Sequence, residues 1–195
     1  MNRLTTVVAL SLMTLSPGLA HAAGWTVDSS QSRVSFVTVK ADTIAESNIF
    51  KQVSGTVSED GSARVTIPLD SVETRADTRN QRMREFLFET MKFPDAVITA
   101  KLNMADLRML KVGDRKEMTL KANVSMHGHD LDIEPDVFVT RIGPRAVTVE
   151  TTEPIVVEAF DFDMEQGLAK LKDLAGLPSI TPAVSVSFSL LFTEN

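Results

Sequence analysis

"VSVSFSLLF", residues 184–192, alternates strictly. Val184, Val186, Phe188, Leu190 and Phe192 fall on one face, and Ser185, Ser187 and Ser189 on the other. A period of two is the geometry of a β-strand, and one apolar face against one hydroxylated face is the mark of an antiparallel sheet, dry on one side only. The same alternation recurs upstream. "EMTLKANVSM" (117–126) sets Met118, Leu120, Ala122, Val124 and Met126 against Thr119, Lys121, Asn123 and Ser125. "ARVTIPL" (63–69) repeats it with Val65 and Ile67, "AVITAKLNM" (96–104) with Ile98, Leu102 and Met104, and "SRVSFVTV" (32–39) with Val34 and Phe36. Further strands are expected at 25–28, 48–57, 131–140, 145–151 and 154–160, about nine or ten in all by these period-two runs. Short connections such as "EDG" (59–61) and "VGD" (112–114) suit hairpins.

Two segments break the pattern. In "TRNQRMREFLFETMKFP" (78–94), Met83, Phe86, Leu87 and Met91 form a helical stripe, opposite Arg79, Gln81, Arg82 and Glu85. Thr78 and Gln81 have the spacing of a capping box, and Pro94 stops the segment. "DMEQGLAKLKDLAGLP" (163–178) places Met164, Leu168, Leu171 and Ala175 on one side, with Asp163 and Gln166 as a cap and Gly176 and Pro178 at its end. Two short amphipathic helices in an otherwise antiparallel chain predict a closed sheet, a barrel without edge strands, with helices over its openings. Such a barrel is either filled by its side chains or holds one elongated ligand. The inward sets are rich in small or unbranched residues (Ala100, Ala122, Met104, Met118, Met126), and aromatics are few: 10 Phe, 1 Trp and no Tyr. Methionine suits an adaptable apolar cavity, but it also patches a solid core, and the pattern leaves both open.

The first 22 residues read as a leader. Arg3 precedes the apolar "LTTVVALSLMTLSPGLA", and "AHA" at 20–22 offers a small-x-small site, so cleavage is expected after Ala22. The apolar run is too short and interrupted to serve as an anchor. The remaining 23–195 are expected to form one exported, soluble domain with a charge of -7, against -6 for the whole chain. An acidic surface argues against a nucleic-acid partner. The chain has no cysteine, so an exported fold must be held by packing alone.

Little points to catalysis. There is no cysteine nucleophile, Gly-x-Ser-x-Gly elbow or His-Glu-x-x-His, and "SEDGS" and the Asp161/Asp163 pair read as turns and caps. No enzyme, cofactor or resident metal is expected. His127 and His129, two apart on an expected strand, share one face and form the one metal alternative, although the acidic residues that follow fall on the other parity.

The ordered set of motifs resembles the YceI family of polyisoprenoid-binding, lipocalin-like proteins. "GWTVDSSQSRVSFVTV" (24–39) resembles its opening strand pair and "VSGTV" (53–57) its Val-x-Gly strand. "PLDSVETRADTRNQRMREFLFETMKFPDAVI" (68–98) is similar to its hallmark strand, arginine-rich helix and Phe-Pro. "LKANVSMHGHDLDI" (120–133) resembles its His-Gly hairpin. The chain departs from the family at Arg82, where a histidine is usual, and in the helix within 158–182. The resemblance implies an antiparallel barrel in the periplasm with a long hydrophobic cavity for an isoprenoid or similar aliphatic amphiphile. It leaves pairing into a homodimer open and implies no stable membrane insertion. The cavity lining expected on this basis is Val34, Phe36, Val65, Ile67, Phe86, Leu87, Ile98, Leu102, Leu120, Ala122 and Phe188, with residues 79–91 as a lid. Arg75, Arg79, Arg82 and Arg84 read either as a solvated helix face or as a clamp for an anionic head group. Arg79 is the head-group candidate because the family also carries arginine there.

Overall fold

A computed structural model of the chain describes residues 24–195; the expected leader and its cleavage site lie outside the described residues. The strands are, in order, β1 (Trp25–Val27), β2 (Arg33–Lys40), β3 (Ile44–Phe50), β4 (Ser54–Val57), β5 (Ser62–Pro68), β6 (Val72–Glu73) and β7 (Asp95–Lys101). They continue with β8 (Arg115–Thr119), β9 (Ala122–Met126), β10 (His129–Ile133), β11 (Asp136–Gly143), β12 (Ala146–Thr151), β13 (Ile155–Glu158) and β14 (Ala183–Glu194). Three helices interrupt them: α1 (Asp77–Arg82), α2 (Met104–Arg108) and α3 (Glu165–Ala175).

The alternating stretch at 184–192 lies in β14, the strand that organises the sheet. Its first half pairs with β13 and β2, so that Val186 stands opposite Ile155 and Phe36. Its second half pairs with β12 and β1, so that Phe192 stands opposite Val147 and Val27. Every pairing is antiparallel, and the path runs β10-β9-β7-β5-β4-β1-β14-β12-β11-β8, with β2, β3 and β6 branching from β14. The fold is therefore all-β and antiparallel, as the alternation predicts.

Closure is not what the ladder shows. β8 and β10 end the path and do not pair with each other among the described residues. The reason lies in "EMTLKANVSM", which is two strands rather than one. The chain breaks at Leu120 and Lys121, where the Leu120 N–H turns to the Pro135 carbonyl at 2.9 Å. β8 then joins β11, while β9 joins β7 and β10. Similar breaks divide 48–57 into β3 and β4 and 131–140 into β10 and β11, and with the unexpected β6 they bring the strands among the described residues to fourteen.

The two expected helices are present with shifted bounds, and α2 is an addition. α1 begins at Asp77 without a side-chain cap and runs into a π-helical turn at Met83–Leu87. The Phe88 N–H closes that turn on the Met83 carbonyl, five residues back, at 2.9 Å. α3 likewise starts without the expected Asp163 cap, but ends at Gly176 in the left-handed region, as expected. α2 lies where an extended Met104 was expected. Asn103 stops β7 by accepting the Ala105 N–H at 3.2 Å through its side chain, which starts a helix. The π turn precedes β7 and α2 follows it, so the two sit at opposite ends of a strand about 20 Å long. α3 lies over the π turn. A Cβ on Gly167 would come 2.2 Å from the Phe86 carbonyl oxygen, so only glycine permits that approach.

Candidate functional site

The dry faces of these strands enclose a cavity of about 670 Å³. β14 shows how the sequence builds it: Val184, Val186, Phe188, Leu190 and Phe192 all face inward, so the entire apolar parity of the opening stretch is cavity wall. β2 adds Val34 and Phe36, β5 adds Val65 and Ile67, and β7 adds Ile98, with Leu102 just beyond its end. Ala122 of β9 faces inward, as does Leu120 at the strand break, and Leu87 closes over them from the π turn.

Phe86 is the exception, and its placement is corrected. It is half-buried beside the cavity, with the Lys170 ammonium of α3 5.9 Å from its ring centroid. The π turn explains the change. An ordinary α-helix groups Met83, Phe86 and Leu87 on one stripe, but the wider turn swings Phe88 inward in place of Phe86. Phe88 is buried against Phe50, ring centroids 5.9 Å apart, and Phe50 stacks in turn on Phe36 at 5.3 Å. Met91, expected on the same stripe, is fully exposed. The lining residues that sequence periodicity missed, such as Phe50, Phe88, Leu107 and Phe162, lie at strand ends, in helical turns or in α2, where neither period holds.

The wall becomes polar toward the α1 end. Along β2 the inward series runs Val34, Phe36, Thr38, Lys40, and its partners on β3 run Phe50, Asn48 and Glu46. Arg79 reaches into this mouth from α1. Its Nε donates to Thr74 Oγ1 at 2.8 Å, one terminal nitrogen donates to the Thr74 carbonyl at 2.5 Å, and the other meets Glu46 Oε2 at 2.6 Å. Glu46 also pairs with Lys40 at 2.9 Å. Lys40 above all, with Arg79 beside it, holds the Glu46 carboxyl below the usual carboxylate range. The mouth thus carries the Glu46 carboxylate between two cations, with Glu158 also in the lining. Arg82 also borders the cavity and donates to the Leu174 carbonyl of α3 at 3.1 Å. Arg75 and Arg84 are not part of the lining.

The histidines are arranged differently from two residues on one strand. His127 and Gly128, both at positive φ, form the turn of the β9–β10 hairpin, and His129 starts β10 opposite Met126. His129 is exposed, whereas the His127 side chain is only 11% exposed and packs on Phe93, with ring centroids 4.4 Å apart. Its Nδ1 donates to the Phe162 carbonyl at 2.9 Å, and Nε2 lies 3.6 Å from Glu89 Oε2. The ring therefore ties the hairpin to the segment before α3. Among the described residues no three His, Asp or Glu side chains are grouped to hold a metal ion.

Residues 25–192 match the sequence model of the YceI-like domain. The chain belongs to this family. Its fold is similar to that of a polyisoprenoid-binding domain from Saccharophagus degradans implicated in plant cell wall breakdown. The two are 32% identical with a TM-score of 0.86, over 88% of this chain and 98% of that one. Burkholderia cenocepacia BcnA shares the fold at 19% identity and a TM-score of 0.66, over 85% of this chain and 98% of its own. A mutant YceI protein of Campylobacter jejuni does so at 15% identity and a TM-score of 0.51, over 100% and 98%. No curated protein matches the chain. Among the described residues no helix is long and apolar enough to cross a membrane.

Proposed function

We propose that this YceI-like protein is an exported, non-catalytic carrier of a long-chain isoprenoid or similar aliphatic amphiphile, working in the periplasm. The chain of the ligand lies in the cavity and its polar end at the Arg79 mouth. The observation that carries this reading is the cavity itself. Its side chains leave about 670 Å³ unfilled inside an apolar wall, a volume within the range of small-molecule sites. At about 30 Å³ per water-sized group the space takes about twenty methylene-sized groups. Burying that chain is worth about 16 kcal/mol gross at 0.8 kcal/mol per methylene, before the costs of association. A filled structural module would leave no such space. Apolar burial discriminates weakly among long chains, so selectivity falls to the mouth, where Lys40, Arg79 and Arg82 exceed Glu46 and Glu158 by one positive charge. The description of the Saccharophagus relative as a polyisoprenoid-binding domain supports the same reading.

The test is uptake of an environment-sensitive fluorescent fatty-chain probe by the delipidated protein. Saturable enhancement, reversed by an unlabelled polyprenol, is expected. A linear, non-saturating response overturns the carrier reading.

A further inference from the structure

The end of the molecule opposite the Arg79 mouth is built unlike the rest of this acidic chain. α2 and the turn that follows it carry Met109 and Val112, 72% and 58% exposed, and the β11–β12 hairpin carries Ile142, 51% exposed. The two segments are tied together: the Gly113 N–H donates to the Arg141 carbonyl at 2.8 Å, and the Arg141 N–H to the Asp114 carbonyl at 3.0 Å. Their charges are one-sided. Residues 104–116 and 141–146 hold Arg108, Lys111, Arg115, Lys116, Arg141 and Arg145 against Asp106 and Asp114 alone. The ion pairs at this end engage Lys101 with Asp60, Lys116 with Asp106 and Arg145 with Glu194. Among the described residues none engages Arg108, Lys111, Arg115 or Arg141. The cavity reaches the same face, for Leu107, Arg108, Leu110 and Arg141 border it.

We propose that this α2 face docks on an anionic lipid surface, and that cargo is exchanged there. The inference rests on the carrier reading for its purpose, not for its geometry. Exposed apolar side chains ringed by cations are the composition that interfacial membrane binding requires, apolar insertion adding to attraction for anionic head groups. The net charge of -6 opposes approach to an anionic membrane, so binding must be local and screened by salt. The opposite end also exposes apolar side chains, Ile44, Met91 and Phe160, but its charges are mixed. Lys40 and Arg79 are already paired with Glu46, and the cations of residues 75–92 and 158–173 stand among Asp77, Glu85, Glu89, Glu158, Asp161, Asp163, Glu165 and Asp173. α2 is also short and joined to β8 by a turn, so a small displacement of Leu107 and Leu110 opens the cavity toward the bilayer.

The experiment is vesicle flotation of the full protein at low and high salt, with phosphatidylglycerol-rich vesicles compared with pure phosphatidylcholine. Binding to the anionic vesicles is expected, weakened by about tenfold in the double variant Lys111→Glu, Val112→Asp and released by salt. Ile44→Asp, at the other end, is expected to bind like the parent. None of these three residues borders the cavity, so probe uptake in solution stays unchanged in all variants. Flotation needs no cargo, so its failure with probe uptake intact overturns the docking proposal and leaves the carrier reading standing. Equal binding to both vesicle types, or equal loss in Ile44→Asp and in the double variant, overturns it as well.

Discussion

Asn80, inside the helix, ties α1 to the segment before it, whereas no side chain caps α1 as was expected of Thr78. Asn80 is 2% exposed, and its Oδ1 accepts from the Thr74 N–H at 2.8 Å and from the Thr74 hydroxyl at 2.6 Å. Its amide nitrogen donates to Glu73 at 3.0 Å. One buried residue thus fixes the first turn of α1 to β6 and sets the point from which Arg79 reaches the mouth. Asn80→Leu keeps the volume but leaves the Thr74 donors unpaired, and is expected to cost about 1–3 kcal/mol in a urea melt. Glu73 makes the same anchor sensitive to acid. Lys51 at 2.5 Å, then Asn80 and the Arg75 N–H, hold its carboxyl down at about 2, against 4.5 for an ordinary glutamate. Because the folded value is the lower one, the stabilisation is full above 4.5 and is lost as pH falls from there toward about 2. Melts over that window should show Glu73→Gln losing less stability on acidification than the parent; parallel curves would remove Glu73 from the account. None of this was legible in the sequence, where Asn80 falls on no apolar stripe. A buried polar residue is set by partners distant in pattern, and periodicity carries no sign of them.

Among the elements, strands were more legible than helices, for a physical reason. A strand repeats at two residues whatever it packs against, so the inward sets of β2, β5, β7 and β14 could be read directly. The helical stripe assumed a constant pitch, and the π turn at Met83–Leu87 changes it within one residue. The consequence is testable. Leu87 borders the cavity and is buried, whereas Phe86 lies beside it against α3. Leu87→Asp sets a charge against an apolar wall, where it must neutralise or push the turn outward. Fluorescent-probe affinity is expected to fall by at least about tenfold, the equivalent of 1.4 kcal/mol. Phe86→Asp is expected to lower it by less. The reverse order would mean that the wider turn does not set which residues meet the ligand. Strand breaks were the other illegible feature. Lys121 continues the alternation of "EMTLKANVSM" while the hydrogen bonds leave it, and this splits β8 from β9 and keeps the sheet from closing.

On the scale of the molecule, a chain without cysteine wraps one antiparallel sheet around an apolar space, covers one end with α1, the π turn and α3, and the other with α2. The aliphatic lining was readable because the inward positions away from the α1 mouth are nearly all apolar; its volume was not, because a methionine-rich core and a cavity share one pattern. The central claim is that this space holds a long chain. It is tested most directly by native mass spectrometry of the protein isolated from the periplasm, with organic extraction of the same sample. The account predicts a mass exceeding that of residues 23–195 by one reproducible aliphatic passenger, which is recovered in the extract and lost in Leu87→Asp. A mass equal to the bare chain, with no aliphatic compound in the extract and no uptake of added polyprenol, would contradict it.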